Sequence, residues 1–137
     1  MRLLAITTLA FILCHVGNAV GENQAAIQSE TLLRSSSSWD GEPYTAYPAG
    51  RPELSVLKIT IPPHTQLKWH THPMPNAAYL LSGELTVERK EDGKTRHFTA
   101  GQVVAEMVDV LHRGVTGDAP VTLIVFYAGV EGMPLSQ

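Results

Sequence analysis

The feature that most constrains the fold is a succession of short apolar or alternating segments between residues 53 and 128, separated by turns that contain proline or glycine. Alternation of apolar and polar side chains predicts strands with one buried face. Eight strands are predicted on this basis, at 54–61, 67–72, 77–81, 84–89, 95–99, 103–108, 111–115 and 121–128. No segment after residue 35 shows a helical period. Many short strands with frequent turns are typical of an all-β sandwich or barrel.

The length and composition agree with one folded domain. The chain has 137 residues, of which 44% are hydrophobic and 17% are charged, a balance typical of globular proteins. A single barrel domain is predicted for residues 39–137, with its core strands in 53–128. The formal net charge of -3 gives no general attraction to phosphate backbones, so we expect no nucleic-acid partner.

The first residues are predicted to be a signal peptide. A positive start at Arg2 is followed by a mostly apolar run at 3–16 and by small residues at Gly17 and Ala19, the layout that signal peptidase cleaves. Residues 1–19 would then be removed, and the protein would be exported to the periplasm or secreted. The apolar run is shorter than the ~20 residues of a membrane span, so no stable span is expected after cleavage. An uncleaved membrane anchor is the alternative.

Two further segments precede the predicted strands. Residues 20–38 are polar and end in four serines, and they are predicted to form a flexible N-terminal arm. Residues 39–52 are rich in proline and glycine and are predicted to approach the barrel in an extended conformation. Cys14 is the only cysteine and lies in the predicted signal peptide. A metal ion in the mature protein would therefore need nitrogen and oxygen ligands.

Three histidines are candidates for such ligands. His70 and His72 lie two residues apart on a predicted strand, so their side chains would point to the same face. Two imidazoles one pleat apart can reach a common ion. His112 begins another predicted strand, which a barrel can bring opposite the first. An isolated His-x-His pair is more often a polar surface feature, and a single histidine is usually solvated, so the surroundings decide the interpretation.

Those surroundings resemble the first motif of the cupin superfamily. The family pattern is G-x5-H-x-H-x3,4-E-x6-G. In this chain the corresponding positions are His64, His70, His72, Asn76 and Gly83. The spacing is the same throughout, with His64 in place of the first glycine and Asn76 in place of the glutamate.

The second cupin motif, G-x5-P-x-G-x2-H-x3-N, matches in spacing as well. Gly101 and His112 keep their separation. Met107, Asp109 and Thr116 replace the proline, the second glycine and the asparagine. The resemblance covers about residues 53–128, which is nearly all of the predicted barrel.

The resemblance implies a cupin-type double-stranded β-helix, a jelly-roll barrel that is commonly homodimeric and holds a metal ion inside its mouth. It assigns His70, His72 and His112 as metal ligands. The fourth cupin ligand is a glutamate, and an amide at Asn76 is a poorer ligand, so three protein ligands are expected, as in some iron-dependent cupin dioxygenases. One divalent transition metal ion is expected, and Fe2+ is the preferred candidate. Zn2+, Mn2+, Ni2+ and Cu2+ are the alternatives, because they also bind imidazole.

Three functions remain open at this point. A three-histidine centre leaves open coordination positions, which a metal-dependent oxygenase needs to bind or oxidise a small molecule. A non-catalytic cupin that binds a small molecule or a metal is the alternative, since the motifs are altered. A structural barrel with an empty site is the third.

Glu106 and Asn76 are the candidates for assisting such a reaction. Glu106 lies in the apolar run 103–108, where an unpaired carboxylate is costly to bury. Facing inward, it would ligate the metal, orient a histidine or act as a general base. Facing outward, it would pair with Arg113 or a lysine. His64 and His97 are expected on the surface.

Overall fold

The computed structural model describes residues 26–137, so the predicted signal peptide lies outside the described residues. These residues form seven strands: β1 (Pro52–Ile61), β2 (Asn76–Ser82), β3 (Glu84–Arg89), β4 (Thr95–Thr99), β5 (Val103–Ala105), β6 (His112–Thr116) and β7 (Val121–Val130). No helix within the described part of the chain is long and apolar enough to cross a membrane.

The strands form two antiparallel sheets, as the prediction of an all-β barrel requires. The larger sheet has the order β1-β7-β2-β5, and the smaller has the order β4-β3-β6. The chain passes from one sheet to the other several times, which is the topology of a double-stranded β-helix. β7 has almost no polar face, and it lies in the sheet interior between β1 and β2. Its outward side chains, such as Ile124 and Ala128, are only partly exposed, and a strand that is covered on both faces favours such a continuous apolar run.

The hydrophobic core lies between the two sheets. Along β7 the side chains alternate, so that Val121, Leu123, Val125 and Tyr127 are buried while Phe126 faces solvent. This alternation follows from the period of two in a pleated strand. The fully buried apolar side chains at the centre of the core include Met74, Leu80, Val87, Val104, Met107 and Val121.

The prediction of a regular strand at 67–72 is wrong. Only two isolated bridges pair this part of the chain with β6, at Gln66–Val115 and at His70–His112. Pro73 and Pro75 follow directly, and a proline has no N–H to donate to a ladder. His70 and His72 therefore lie on an extended segment that pairs with β6 through His70.

The predicted strand at 103–108 is also too long. β5 ends at Ala105, where the chain leaves the sheet and turns back through 106–111. Asp109 donates its N–H to the carbonyl of His72 at 2.9 Å. This loop connects the metal-site segment to the start of β6.

The backbone is in the left-handed conformation, with positive φ, at every glycine position of the two cupin motifs. Gly83 and Gly101 have φ of 80° and 88°, and His64 and Asp109 have φ of 52° and 56°. The two residues that replace motif glycines are thus the non-glycine residues with positive φ in the described structure. Left-handed backbone favours glycine because it lacks Cβ. The pattern therefore reflects a backbone requirement, which His64 and Asp109 meet at some cost in strain.

The chain before β1 lies along the barrel wall. Residues 26–34 are exposed and have no regular structure. Ser37 pairs with Pro43 in an isolated bridge, and the N–H of Trp39 donates to the carbonyl of Ala105 at 2.8 Å. The first of these contacts with the barrel is thus made by Trp39, where the predicted barrel domain begins, and the mobility of residues 20–38 stays a prediction.

Asp40 ties this segment to the hairpin of β3 and β4. Its carboxylate is fully enclosed and accepts a hydrogen bond from Arg89 Nη1 at 2.8 Å, and the Ser38 hydroxyl donates to the same carboxylate. Burial opposes its ionisation, but the bonds from Ser38, the Glu42 main chain and Arg89 outweigh burial and lower the pKa of Asp40. The charged pair therefore stabilises the folded state.

We expect Asp40→Asn to lower the free energy of unfolding at pH 7 by about 1.5 to 3 kcal/mol, because hydrogen bonds to a charged group are lost. A lowered carboxyl pKa stabilises the fold above the unfolded-state value near 3.8 and stops doing so as the pH falls through the folded-state pKa. Urea unfolding at pH 7 and at lower pH should show that the difference in free energy of unfolding between the unmodified protein and Asp40→Asn becomes smaller below pH 3.8. Glu131→Gln, which affects the exposed pair with Arg51, is the control. A pH-independent difference would contradict the ionic role.

Candidate metal centre

Two segments bring the three histidines together. His70 and His112 form a reciprocal backbone pair, in which each N–H donates to the other carbonyl at 3.0 Å. His72 lies two residues after His70, so its side chain projects to the same side. His112 is the first residue of β6. The antiparallel pairing of a distant segment thus places all three imidazoles on one face.

The three rings form a compact triangle at the mouth of the barrel. Their centroids are 5.0 Å apart for His70 and His72, 4.6 Å for His70 and His112, and 5.1 Å for His72 and His112. One nitrogen from each ring lies within 4.8 Å of the other two, which allows one ion to sit between them. His72 and His112 are buried, and His70 is partly exposed.

Backbone carbonyls fix which nitrogen of each ring faces the centre. The Nδ1 atom of His70 lies 2.8 Å from the Lys68 carbonyl, and that of His112 lies 2.7 Å from the Val110 carbonyl. The Nδ1 atom of His72 lies 2.7 Å from the Leu135 carbonyl. A carbonyl only accepts, so each Nδ1 carries the proton and each neutral ring has its lone pair on Nε2. Such carbonyl partners are typical of metal-binding histidines.

Glu106 faces inward beside this triangle. Its Oε2 lies 3.3 Å from His112 Nε2, and both side chains are buried. Neither atom has a third group to bond within residues 26–137, so the two atoms face only each other. The backbone holds the residue in place, because Tyr44 donates to the Glu106 carbonyl at 2.7 Å.

The spacing of these two atoms fits a shared metal ion. Two ligands that each lie about 2.1 Å from an ion are about 3.0 Å apart in octahedral and about 3.4 Å apart in tetrahedral geometry. The observed 3.3 Å lies in that range. Two buried acceptors this close need either a proton or a metal ion between them. The group of ligand atoms that lie within 4.8 Å of one another consists of the three histidines, and three imidazole nitrogens suit a divalent transition metal.

The pKa shifts agree with a cation site. Burial lowers the pKa of His70 and His72, which keeps both rings neutral and able to bind metal. Burial opposes the charge on Glu106 and His112, but their mutual attraction outweighs it, lowering the pKa of Glu106 and raising that of His112. A proton can therefore take the place of a metal ion between them, and metal binding is expected to displace it.

Asn76 lies on the inner side of the larger sheet, as the first residue of β2. It is 5% exposed, and its Nδ2 donates to the Met74 carbonyl at 3.4 Å. Its Oδ1 has no hydrogen-bond partner in the described part of the chain. The Asn76 carbonyl accepts from the Glu106 N–H at 3.1 Å, so the backbones of the two candidate residues are joined.

The other candidates lie away from the centre. Arg113 donates to Glu88 at 2.8 Å rather than to Glu106, and its guanidinium lies 4.3 Å from the Trp69 ring centroid. His64 and His97 are surface residues, as expected, with Asp118 3.6 Å from His64 and Glu84 3.3 Å from His97.

One part of the centre could not be found by sequence reasoning. The C-terminal residues cross the barrel mouth, where the Leu135 carbonyl orients His72. Gln137 exchanges two backbone hydrogen bonds with Thr71, at 3.0 and 3.1 Å. The side chains of Met133 and Leu135 pack against the core. A backbone carbonyl has no sequence signature, so this contact appears only in the structure.

We expect removal of residues 134–137 to weaken metal binding about 10- to 100-fold, the usual effect of losing a group that orients a ligand histidine. Titration with Co2+ or Zn2+ would measure this. Gln137→Ala is the matched control, because it keeps the backbone hydrogen bonds and should bind metal normally. Unchanged affinity in the truncated chain would show that the Leu135 carbonyl does not position His72.

Comparison with known proteins identifies the family. Residues 57–127 match the model of the cupin domain, which is more than half of the chain. The chain therefore belongs to the cupin family, and the sequence-based resemblance is confirmed. With its fold and its three-histidine cluster, it is a cupin with a candidate site for a divalent metal ion.

Solved structures support the same fold. An uncharacterised conserved protein with a double-stranded β-helix domain from Klebsiella pneumoniae is 22% identical with a TM-score of 0.52, over 86% of this chain and 97% of that one. A cupin-like protein from Thermotoga maritima is 15% identical with a TM-score of 0.52, over 61% and 62%. The DMSP lyase DddQ from Ruegeria pomeroyi is 21% identical with a TM-score of 0.55, over 71% and 46%.

These similarities establish the fold alone. The chain spans less than half of the length of the DMSP lyases that it matches. No curated protein is significantly similar to it in sequence. The chemistry must therefore be argued from the site.

Proposed function

We propose that this protein is an exported, metal-dependent cupin that binds and oxidises a small molecule at a centre formed by His70, His72, His112 and Glu106. The observation that carries the proposal is the geometry of the donors. Three imidazoles are fixed with Nε2 toward one point, and the buried Glu106 carboxylate lies 3.3 Å from the Nε2 atom of one of them. Fe2+ is the first candidate ion, and it would supply redox chemistry with oxygen.

Each residue has a defined task in this proposal. The histidines would hold the ion through Nε2, while their Nδ1–H groups stay bonded to carbonyls. Glu106 would take the position that the cupin motif gives to a glutamate at residue 76, and its charge would partly neutralise the ion. Asn76, free of metal ligation, would offer Oδ1 to the bound molecule. Four protein donors leave room for small ligands on an octahedral ion.

The test is oxygen consumption by untagged protein loaded with Fe2+, offered a panel of 2-hydroxy acids, 2-oxo acids, catechols and diketones. We expect Fe2+-dependent oxygen uptake that matches product formation by mass spectrometry for one of these classes. Glu106→Gln should reduce this turnover at least about 10-fold, because the negative donor is lost. His97→Gln, on the surface, should leave it unchanged.

A non-catalytic binding protein is the second candidate. The altered second motif, with Met107, Asp109 and Thr116 in place of the usual residues, favours it. A molecule that binds tightly to the metal-loaded protein but is recovered unchanged, with iron and oxygen present, would support this function and contradict the oxidase.

Export rests on the sequence of residues 1–19, which lie outside the described structure. We expect mature protein from a Gram-negative host to be recovered from the periplasm with Val20 as its first residue, by mass spectrometry. Full-length chain in the membrane fraction would support the uncleaved anchor instead.

A homodimer is part of the proposal. β1 lies at an edge of the larger sheet, and no strand within residues 26–137 pairs with its outer side. Leu54 and Val56 on β1 are 70% and 64% exposed, next to Phe126 on β7. A long edge strand with exposed apolar side chains favours pairing with another chain.

Light scattering at micromolar concentration tests the dimer. We expect the mass of two chains for the unmodified protein and of one chain for Val56→Lys. Leu111→Lys is the control. Leu111 is an exposed apolar residue that lies outside β1, so this variant should leave the dimer intact. A single-chain mass for the unmodified protein would refute the dimer.

A further inference from the structure

One row of side chains inside the barrel is polar, whereas the neighbouring rows are apolar. In the registers of β1, β7 and β2, Ser55 lies opposite Tyr127, and Tyr127 lies opposite Asn76. Tyr127 is directly opposite both neighbours, and directly opposed residues are near enough to act on the same small molecule. The next two rows along the sheet are Leu57, Val125 and Ala78, then Ile59, Leu123 and Leu80.

The polar row borders the metal centre. The Tyr127 ring lies edge-on to the His72 ring, with centroids 5.7 Å apart. Tyr127 and Asn76 are each only 5% exposed. Burying polar side chains in a core is costly unless they have partners. Of the two, Asn76 keeps an atom, Oδ1, that has no partner among the described residues, which leaves it for a bound molecule.

The orientation of Asn76 defines one of the missing partners. Its neighbour, the Met74 carbonyl, can only accept a hydrogen bond, so Nδ2 faces Met74. Oδ1 then points the other way, buried and without a partner among the described residues. A buried acceptor of this kind needs a donor or a cation. In the proposed centre Glu106 and the histidines hold the ion, so the partner of Asn76 Oδ1 is a hydroxyl or an N–H group of the bound molecule.

The charge of the site defines the rest of the molecule. A divalent ion held by three neutral imidazoles and Glu106 keeps one positive charge, which favours a monoanionic ligand such as a carboxylate. The hydroxyl group of Tyr127 can donate to a carboxylate oxygen. A hydroxyl next to a carboxylate also allows both groups to approach one metal ion.

We propose that Tyr127 and Asn76, within this polar row, form the recognition row for a small 2-hydroxy monocarboxylic acid bound at the metal centre. The hydroxyl group of the acid donates to Asn76 Oδ1, and its carboxylate accepts from Tyr127. This inference rests on the proposed metal centre and deepens it by naming the ligand class.

Binding of lactate, pyruvate and propionate to Co2+-loaded protein tests the inference. These acids have nearly the same size and charge, but only lactate has a hydroxyl donor. Calorimetry and the visible spectrum of Co2+ report binding without turnover. We expect one lactate enantiomer to bind at least about 10-fold more tightly than pyruvate or propionate, because each leaves Asn76 Oδ1 unpaired.

Two variants separate recognition from folding. Asn76→Leu removes the acceptor at similar volume, and it should reduce the preference for lactate over pyruvate to less than about 2-fold while Co2+ affinity stays unchanged. Tyr127→Phe should weaken both acids alike, by about 3- to 10-fold, since one hydrogen bond to the carboxylate is lost. A purely structural role would not change the ratio of the two affinities.

The outcomes distinguish the two proposals. Co2+ uptake with equal affinity for the three acids, or a preference that survives in Asn76→Leu, would overturn the recognition row and leave the metal centre standing. Failure to bind Co2+ at all would overturn the metal centre, and the recognition row with it.

Discussion

Replacing His112 by glutamine is expected to reduce the metal content of the protein from about one ion per chain to less than about a tenth of an ion. His112 contributes one of three imidazole ligands and is 2% exposed, so no water-exposed group can take its place. Loss of a group that only orients a ligand already weakens metal binding about 10- to 100-fold, and loss of the ligand itself should exceed that range. Elemental analysis of untagged protein is the measurement.

His97→Gln is the matched control for this variant. His97 is half-exposed on β4 and faces Glu84, far from the centre in the fold. A metal that binds only the folded state raises the thermal midpoint, so added Zn2+ should stabilise the unmodified protein and His97→Gln but not His112→Gln. Full metal content in His112→Gln would show that the ion lies elsewhere.

Gly83→Ala is expected to destabilise the fold by about 2 to 4 kcal/mol, one of the larger effects of a single methyl group. Gly83 has φ of 80° between β2 and β3. A Cβ atom there would collide with the Pro120 carbonyl and lie 3.0 Å from Val121 Cα. Both neighbours belong to the backbone and cannot turn away. Urea unfolding at neutral pH would measure the change.

Gly93→Ala isolates the contribution of the collision. Gly93 has φ of 70°, close to that of Gly83, but a Cβ atom there would have no neighbour within 4 Å. Only the cost of a left-handed residue remains, about 1 kcal/mol. Equal losses in the two variants would mean that the backbone yields at Gly83 and that the collision has no effect.

Much of the fold could be predicted from the sequence because the barrel is built from local signals. Alternating side chains predict strands, and prolines and glycines predict the turns between them. The cupin motif spacing survives in this chain because it reflects backbone geometry. The left-handed positions of the motif are kept even where His64 and Asp109 replace glycine.

The extent of two segments could not be predicted in the same way. Residues 67–72 alternate like a strand, but they pair with β6 only through isolated bridges. Residues 103–108 are continuously apolar around Glu106, yet β5 ends at Ala105. The prolines after His72 and the turn at Asp109 decide these ends, and their effect depends on what the chain packs against.

The candidate site was only partly accessible to sequence reasoning. The histidine spacing indicates a metal site, and the structure brings His70, His72 and His112 together. The sequence could not decide whether the Glu106 side chain faces inward. Side chains alternate between the two faces only within a strand, and β5 ends at Ala105. The Leu135 carbonyl and the polar row depend on tertiary contacts and on strand register, which no local pattern reveals.

The central claim is that one ion is held by three Nε2 atoms and by Glu106. A crystal structure of the metal-loaded protein, with anomalous scattering measured at the absorption edge of the metal, tests it most directly. We predict one anomalous peak inside the barrel mouth, about 2.0 to 2.2 Å from the Nε2 atoms of His70, His72 and His112 and from a Glu106 oxygen. A peak bound elsewhere, or a histidine ring that turns away from the ion, would contradict the metal centre.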